Sequence, residues 1–480
     1  MPPPPPPADG NGGADGGGPA PPPPPLRPLL IFDDPWTQLR TRDVTLDAML
    51  RPDGDQLTLA GVRDVAQQRS TACVRAGTAA VPPPTETARR ALSLYLSSLD
   101  LVVERAGGVL ASADDGGGGG GGERPASTAG AAAMGGGASG ASAAASTSAP
   151  RRPFETEWTS PLGGRAARFI ALRGAAKEQA MALFLYGSLL RQLGHQALDD
   201  ALQREREPTP AEAGEAGGAG GAGASGGRSA PSPPPPPPPP AGPLAEAAHH
   251  LRRAAGVFRR LADRTLPAIL LALGTRDRPL EITPPAAEAM ALVCLAEAQA
   301  LTAFRAEERG SPPALLSSLH AGARSLYARA SRALPPAHAS GGGGGGGGGA
   351  SEHARPGERL TRFLALGQAV SSARALRAAA LDLASRFEAG TAERCCDEAA
   401  RELAGAASGA AGGDPAWRLL VQEEAGRLEA AAAPIRKDRL YVTVQAVPRD
   451  LPRGLPEARV LVAELPFDEP FVAGGVVDAR

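Results

Sequence analysis

The residues that could carry chemistry are few and poorly placed for it. Cys395 and Cys396 are vicinal rather than CxxC, so they read as two buried or half-buried thiols ahead of a redox or metal pair. With Cys73 and Cys294 they make four cysteines without regular spacing, which fits reduced thiols in an intracellular protein better than a disulfide framework. His249 and His250 are adjacent on a helical stretch and point about 100° apart, so they do not form the i,i+4 pair a metal site would use. GASGG at 223–227 has the letters of a nucleophile elbow, but it sits in Gly/Ala repeats with no preceding strand. The glycine runs lack the Lys-Ser/Thr that would hold phosphate and magnesium. With six histidines scattered and no acid–base constellation, the expectation is a protein that is not an enzyme, with no catalytic residue, cofactor or metal.

Binding is the remaining class. PPPPPLRP at 21–28 contains the PxxPxR pattern of an SH3 ligand, a match that any proline-rich tail makes easily, and the proline run at 233–240 stands beside it. Lys+Arg (50) nearly balance Asp+Glu (51), so no global charge points to nucleic acid. The N-terminus, MPPPPPPADGNGG, lacks a basic n-region and an apolar h-region, and no stretch approaches the roughly 18 apolar residues of a membrane span. The expectation is a cytoplasmic protein. No cysteine stands in VVDAR at 476–480, so no C-terminal prenyl anchor is expected.

The elements that must position any binding surface are helices separated by low-complexity runs. Gly (61) and Pro (50) lie largely in homopolymers. Residues 1–28 read as a disordered Pro/Gly-rich tail, and 29–480 as one domain interrupted by insertions at 107–150, 206–242 and 338–357. Such insertions are tolerated because closure entropy grows only logarithmically with loop length. Between them, Leu244, Ala247, Leu251, Ala254, Phe258 and Leu261 recur at steps of three and four, which puts them on one helix face and leaves Arg252, Arg253, Arg259 and Arg260 largely solvated. Thr283 followed by Pro284 and Pro285 predicts a second helix start, and Ser311 followed by Pro312 and Pro313 opens a third at about 314–333. Further amphipathic segments lie at 85–105, 172–204, 359–389 and 415–434. Strand signal is confined to RLYVTVQAV, RVLVAELPF and LLIF at 29–32. The expected fold class is all-α, an elongated helical-repeat domain with short extended or β segments at its two ends.

The run LAEAAHHLRRAAGVFRRLADRTLP, then LVCLAEAQALTAFRA, then LLSSLHAGARSLYARA, resembles in order and spacing the central helices of the BRO domain family, of ALIX and BROX type. EWTSPL at 157–162, RRALSLYLSSLD, and KDRLYVTVQAVP with ELPFDEP resemble flanking pieces of that family. The layout is nearest the BROX type but without its prenylation cysteine. The resemblance implies a banana-shaped, TPR-like scaffold whose groove accepts the C-terminal amphipathic helix of an ESCRT-III subunit, in endosomal sorting or membrane remodelling. It places the partner-binding positions on Leu315, Leu319 and Thr302. Threonine at 302, where ALIX has phenylalanine, narrows the apolar patch. From periodicity alone, leucines at i,i+4 are more often core, and Leu316 and Leu326 face the interior on this reading.

The resemblance also implies a basic face for anionic lipid, for which Arg252, Arg253, Arg259, Arg260 and Arg264 are candidates, with an ordinary solvated face as the alternative. A scaffold on the same fold that acts through its proline-rich loops, without ESCRT binding, is the second functional reading. A generic helical repeat would lack an extended C-terminal segment packed along it.

Overall fold

A computed structural model of the protein describes residues 29, 32, 38–42, 59–74, 85–106, 154–206, 242–273, 278–335, 355–410, 414–452 and 455–467. The tail at 1–28, the SH3-ligand pattern, GASGG and the insertions apart from their edges fall outside these residues.

The helices are α1 (Leu59–Arg69), α2 (Glu86–Ala106), α3 (Ala175–Arg206), α4 (Pro243–Arg260), α5 (Leu266–Leu273), α6 (Pro284–Glu308), α7 (Pro313–Ala333), α8 (Glu358–Ser385), α9 (Ala389–Ala410) and α10 (Pro415–Asp438). A hairpin of β1 (Glu155–Ser160) and β2 (Arg165–Arg173) precedes α3. From α3 to α10 the long helices pack in series: α3 on α4, α4 on α6, α6 on α7, α7 on α8, α8 on α9 and α9 on α10. Short links join α6 to α7, α8 to α9 and α9 to α10, whereas α3–α4 and α7–α8 remain neighbours across the long insertions at 206–242 and 338–357.

Prolines start several of these helices because the first turn needs no N–H from them. Thr283 precedes Pro284 at the start of α6, and Asp414 caps α10 by accepting from the Ala416 N–H at 2.9 Å. At α7 the cap position is Pro312, one residue beyond the expected Ser311, and no side chain caps it.

α6 is the centre of the bundle. By length and composition it could cross a bilayer, contrary to the sequence expectation, but 89% of its apolar window is buried by neighbouring helices. A core helix surrounded on every side needs the same composition as a membrane span.

Several expectations change. The stretch 155–173 forms an antiparallel hairpin in which Trp158 opposes Ile170, with an irregular register after Thr159. Helix therefore begins at Ala175 rather than 172. Alternation explains the hairpin, since Thr156 and Trp158 are buried while Glu155 and Glu157 are partly exposed. RLYVTVQAV and RVLVAELPF form no sheet: Arg439–Thr443 is a π-helical turn ending α10, and 455–467 is extended but unpaired. Of LLIF, Leu29 and Phe32 are buried outside any strand, Phe32 stacking on Phe363 at 4.9 Å. α1 and α9 are helices beyond those expected.

Buried charges tie the layers together, each with its partners. Glu178 on α3 accepts from Arg69 Nε (2.9 Å), Tyr95 Oη (2.8 Å) and Trp158 Nε1 (2.5 Å), joining α1, α2 and the hairpin. Glu297 on α6 accepts from Arg191 on α3 at 2.8 Å and lies 3.4 Å from His195. Burial opposes its charge, yet Arg191 and His195 together hold its carboxyl down at about 2. Arg374 and Glu424 similarly join α8 to α10 at 2.7 Å.

Candidate ligand groove

α7 presents Leu315 partly exposed, one turn before Leu319. Leu319 is only 1% exposed and therefore forms floor rather than rim. Beside them on α6 stand Leu301 and Thr302, the Thr302 hydroxyl donating to the Ala298 carbonyl at 2.9 Å. α4 supplies Leu244 and Ala248 from the opposite side. Together with Leu461 and Val462 these residues line an open groove of about 790 Å³. Leu316 and Leu326 are buried away from it, as expected. The rim carries Arg252, Arg305 and Arg309 against Glu246, so its charge is positive. His249 adds none at neutral pH, because burial, and then Arg253 and Arg252, hold it below its usual value.

One wall is the extended segment 459–467, which crosses α7 and then α4. The Arg459 N–H donates to the Ser318 carbonyl at 2.9 Å, and the Leu465 N–H donates to the Arg252 carbonyl at 3.1 Å. In each case the helix residue four positions on is glycine. A Cβ on Gly322 would stand 2.2 Å from the Arg459 oxygen, and one on Gly256 would stand 1.8 Å from the Leu465 oxygen. Only glycine lets the backbone lie this close. Between the crossings, Gln299 donates to the carbonyls of Leu319 (3.1 Å) and Arg459 (2.9 Å) and accepts from the Leu461 N–H (3.0 Å).

The α4 arginines complete the attachment. Arg252 Nε donates to the Ala463 carbonyl at 2.7 Å, Arg260 to the Phe467 carbonyl at 3.3 Å, and Arg259 lies 3.8 Å from Glu464. Arg252, Arg259 and Arg260, expected to be solvated, instead hold this segment. Arg264 is exposed.

No family model matches the sequence, and no curated protein matches it. Solved structures do. The structure titled "ALIX BRO1 CHMP4C complex" is similar at TM-score 0.54 and 15% identity, over 90% of this chain and 94% of that one. ALIX in complex with the SIVmac239 PYKEVTEDL late domain matches at TM-score 0.55 and 15% identity, over 90% of this chain and 48% of that chain. "Structure basis for endosomal targeting by the Bro1 domain" matches at TM-score 0.54 and 11% identity, over 92% and 94%. The chain has the Bro1-domain fold.

Within this Bro1 fold the three sequence-chosen residues, Leu315, Leu319 and Thr302, do meet in one groove. The sequence reading expected an extended C-terminal segment packed along the domain, but it did not place Leu461 and Val462 of that segment in the groove as its fourth side. Gly256 and Gly322, each inside a well-formed helix, were the available signal of a close backbone approach. Among the described residues no cluster of three or more His, Cys, Asp or Glu could hold a metal. Cys395 and Cys396 are buried, their thiols pushed by burial up to about 11 and about 12, far from the thiolate that redox or metal chemistry uses.

Proposed function

We propose that this Bro1-type chain is a non-catalytic adaptor whose groove receives the C-terminal amphipathic helix of an ESCRT-III subunit, acting from the cytoplasm at endosomal or other internal membranes. The observation that carries this reading is the apolar groove bounded by Leu315, Leu319 and Thr302. It lies on a fold shared with a structure described as the ALIX Bro1 domain with CHMP4C. Leu315 and Leu319 are one helical turn apart, a spacing that suits anchors at i, i+3 and i+4 of an incoming helix. Rim arginines favour acidic residues on the flank of that helix and fix its register. Thr302 offers a methyl where an aromatic would fill more of the groove, so shallow anchors suit this site. We read residues 29–480 as one domain, with the insertions as loops.

The test is titration of the full chain with fluorescently labelled ESCRT-III C-terminal peptides. Leu315→Asp is the informative variant, since Leu315 is partly exposed, whereas a charge at Leu319 would also destabilise the core. Saturable binding weakened about tenfold or more by Leu315→Asp is expected. No saturable binding, or indifference to Leu315→Asp, overturns the reading and leaves a scaffold acting through its proline-rich segments.

A further inference from the structure

α7 carries a second stripe besides its leucines. Ser317, Ala321, Ser325, Ala328 and Arg332 recur at steps of three and four, so they share one face, about 200° round the helix from Leu315 and Leu319. Small side chains on that stripe leave a trough instead of a ridge. α8 lends it Ser372 and Leu376, while Leu451, Leu455 and Pro456 form an apolar wall, and the volume is about 500 Å³.

Two features of this trough point to a ligand. Ser317 and Ser372 are each 3% exposed, yet their hydroxyls have no hydrogen-bond partner among the described residues. A buried polar group without a partner costs free energy, and a ligand that supplies the partner recovers it. Arg324 and Arg332 stand exposed on the rim with no ion pair among the described residues, whereas Arg252 and Arg259 on α4 are engaged with the C-terminal segment. Glu402 on α9 is the one acidic residue of the lining, so the α7 side is positive.

We propose that this trough binds an acidic peptide in extended conformation, independently of the first groove. From Ser317 to Arg332 α7 rises about 22 Å, the length of roughly seven residues of extended chain. Such a chain has backbone N–H and C=O groups to spare, and these satisfy the two serine hydroxyls. Its side chains alternate in direction, so one set brings carboxylates to the arginine forks and the other lies on Leu451, Leu455 and Pro456. A helix, the occupant proposed for the first groove, keeps its backbone groups paired internally and has none to offer the floor hydroxyls.

The experiment pans a phage-displayed library of random heptapeptides on the full chain, then titrates fluorescein-labelled copies of the enriched sequences. Peptides with acidic residues at alternate positions are expected, and replacing those residues by their amides should abolish binding. Arg324→Glu with Arg332→Glu should weaken binding about tenfold or more and leave unfolding unchanged, because both side chains are exposed and unpaired among the described residues. Ser317→Ala with Ser372→Ala should weaken binding while keeping or raising the urea midpoint, since each hydroxyl lacks a partner in the free protein. Serines with a merely structural role would lose stability instead. Leu315→Asp should leave heptapeptide binding intact, which separates this site from the first groove. No enrichment, enrichment of peptides without acidic residues, or binding indifferent to the arginine pair overturns the proposal. Arginine-dependent binding of phosphatidylcholine–phosphatidylserine vesicles in place of any peptide likewise overturns it, in favour of a membrane contact.

Discussion

Gly256→Ala pits two opposite effects of one methyl group against each other. In an exposed helix the change stabilises by up to ~1 kcal/mol, because alanine orders the helix at lower entropic cost. On α4 the new Cβ would stand 1.8 Å from the Leu465 oxygen, and a backbone oxygen cannot rotate away. Reaching an ordinary contact of 3.4 Å requires the segment to retreat by about 1.6 Å. That motion breaks the Leu465–Arg252 bond and strains those from Arg252 to Ala463 and from Arg260 to Phe467. At ~1 kcal/mol each, with Phe467 also losing its ring contacts to Tyr186 and Arg260, the loss exceeds the helix gain. Net destabilisation of ~1–3 kcal/mol follows. Gly426→Ala on α10 is the control: nothing lies within 4 Å of its added Cβ, so it should stabilise. Urea denaturation of both variants beside the wild type measures the difference, and hydrogen exchange of 459–467 locates it. If Gly256→Ala stabilises as much as Gly426→Ala, the segment does not lie on α4 as described.

Other outcomes follow from the buried charges and thiols. Glu297→Ala leaves Arg191 in the core without its carboxylate and should cost ~3–5 kcal/mol in the same denaturation assay. The depressed Glu297 carboxyl contributes stability that is present above its ordinary 4.5 and lost as pH falls towards 2, so the gap to Glu297→Ala should narrow on acidification. Glu281 behaves oppositely. It accepts from Ser160 Oγ (2.6 Å) and the Leu162 N–H (2.8 Å), and burial pushes it up to about 7. Its contribution is full below 4.5 and lost as pH rises through about 7, so Glu281→Gln should gain on the wild type by up to ~3 kcal/mol across that window. All four cysteines are buried and should resist alkylation until the protein unfolds, and a rapidly modified thiol in the native state would refute this placement.

Periodicity made the helical class and most helix bounds legible. Leu244 through Leu261 recur on one face, and all but Leu244 are fully buried against α3 and α6. Proline pairs marked the starts of α6 and α7 to within a residue. α9 was missed because AGTAERCCDEAARELAGAASGA is rich in alanine and glycine, and its buried face is built from Ala392, Cys395, Cys396, Ala399 and Leu403, a faint stripe of small side chains. The hairpin was missed for a different reason. Its buried positions include the polar Thr156, Thr159 and Ser160, and two of these hydroxyls find partners only in the third dimension, Thr159 at the Gln38 carbonyl and Ser160 at the Glu281 carboxylate.

The groove was legible on its helical side and not on its extended side, and the asymmetry has a physical cause. A helix declares its face through spacing within one segment, so Leu315 and Leu319 could be paired by spacing, although it was the family resemblance and not the spacing that marked the pair as groove rather than core. An unpaired extended segment has no such internal register. RVLVAELPF owes its conformation to partners contributed by distant helices: the Ser318 and Arg252 carbonyls, the Gln299 amide, and the space above Gly322 and Gly256. Strand propensity in Val460, Leu461 and Val462 was real, but it expressed itself as extended chain on helices because no sheet edge is there to receive it. The six-residue step between Arg459 and Leu465 carries the chain from α7 to α4, each contact marked by a helix-interior glycine four residues after the accepting carbonyl. A glycine in that position costs helix stability wherever nothing crosses above it. Two of them beneath one nine-residue segment leave the room in which it crosses both helices at backbone contact, and with it the groove wall that the crossing holds in place.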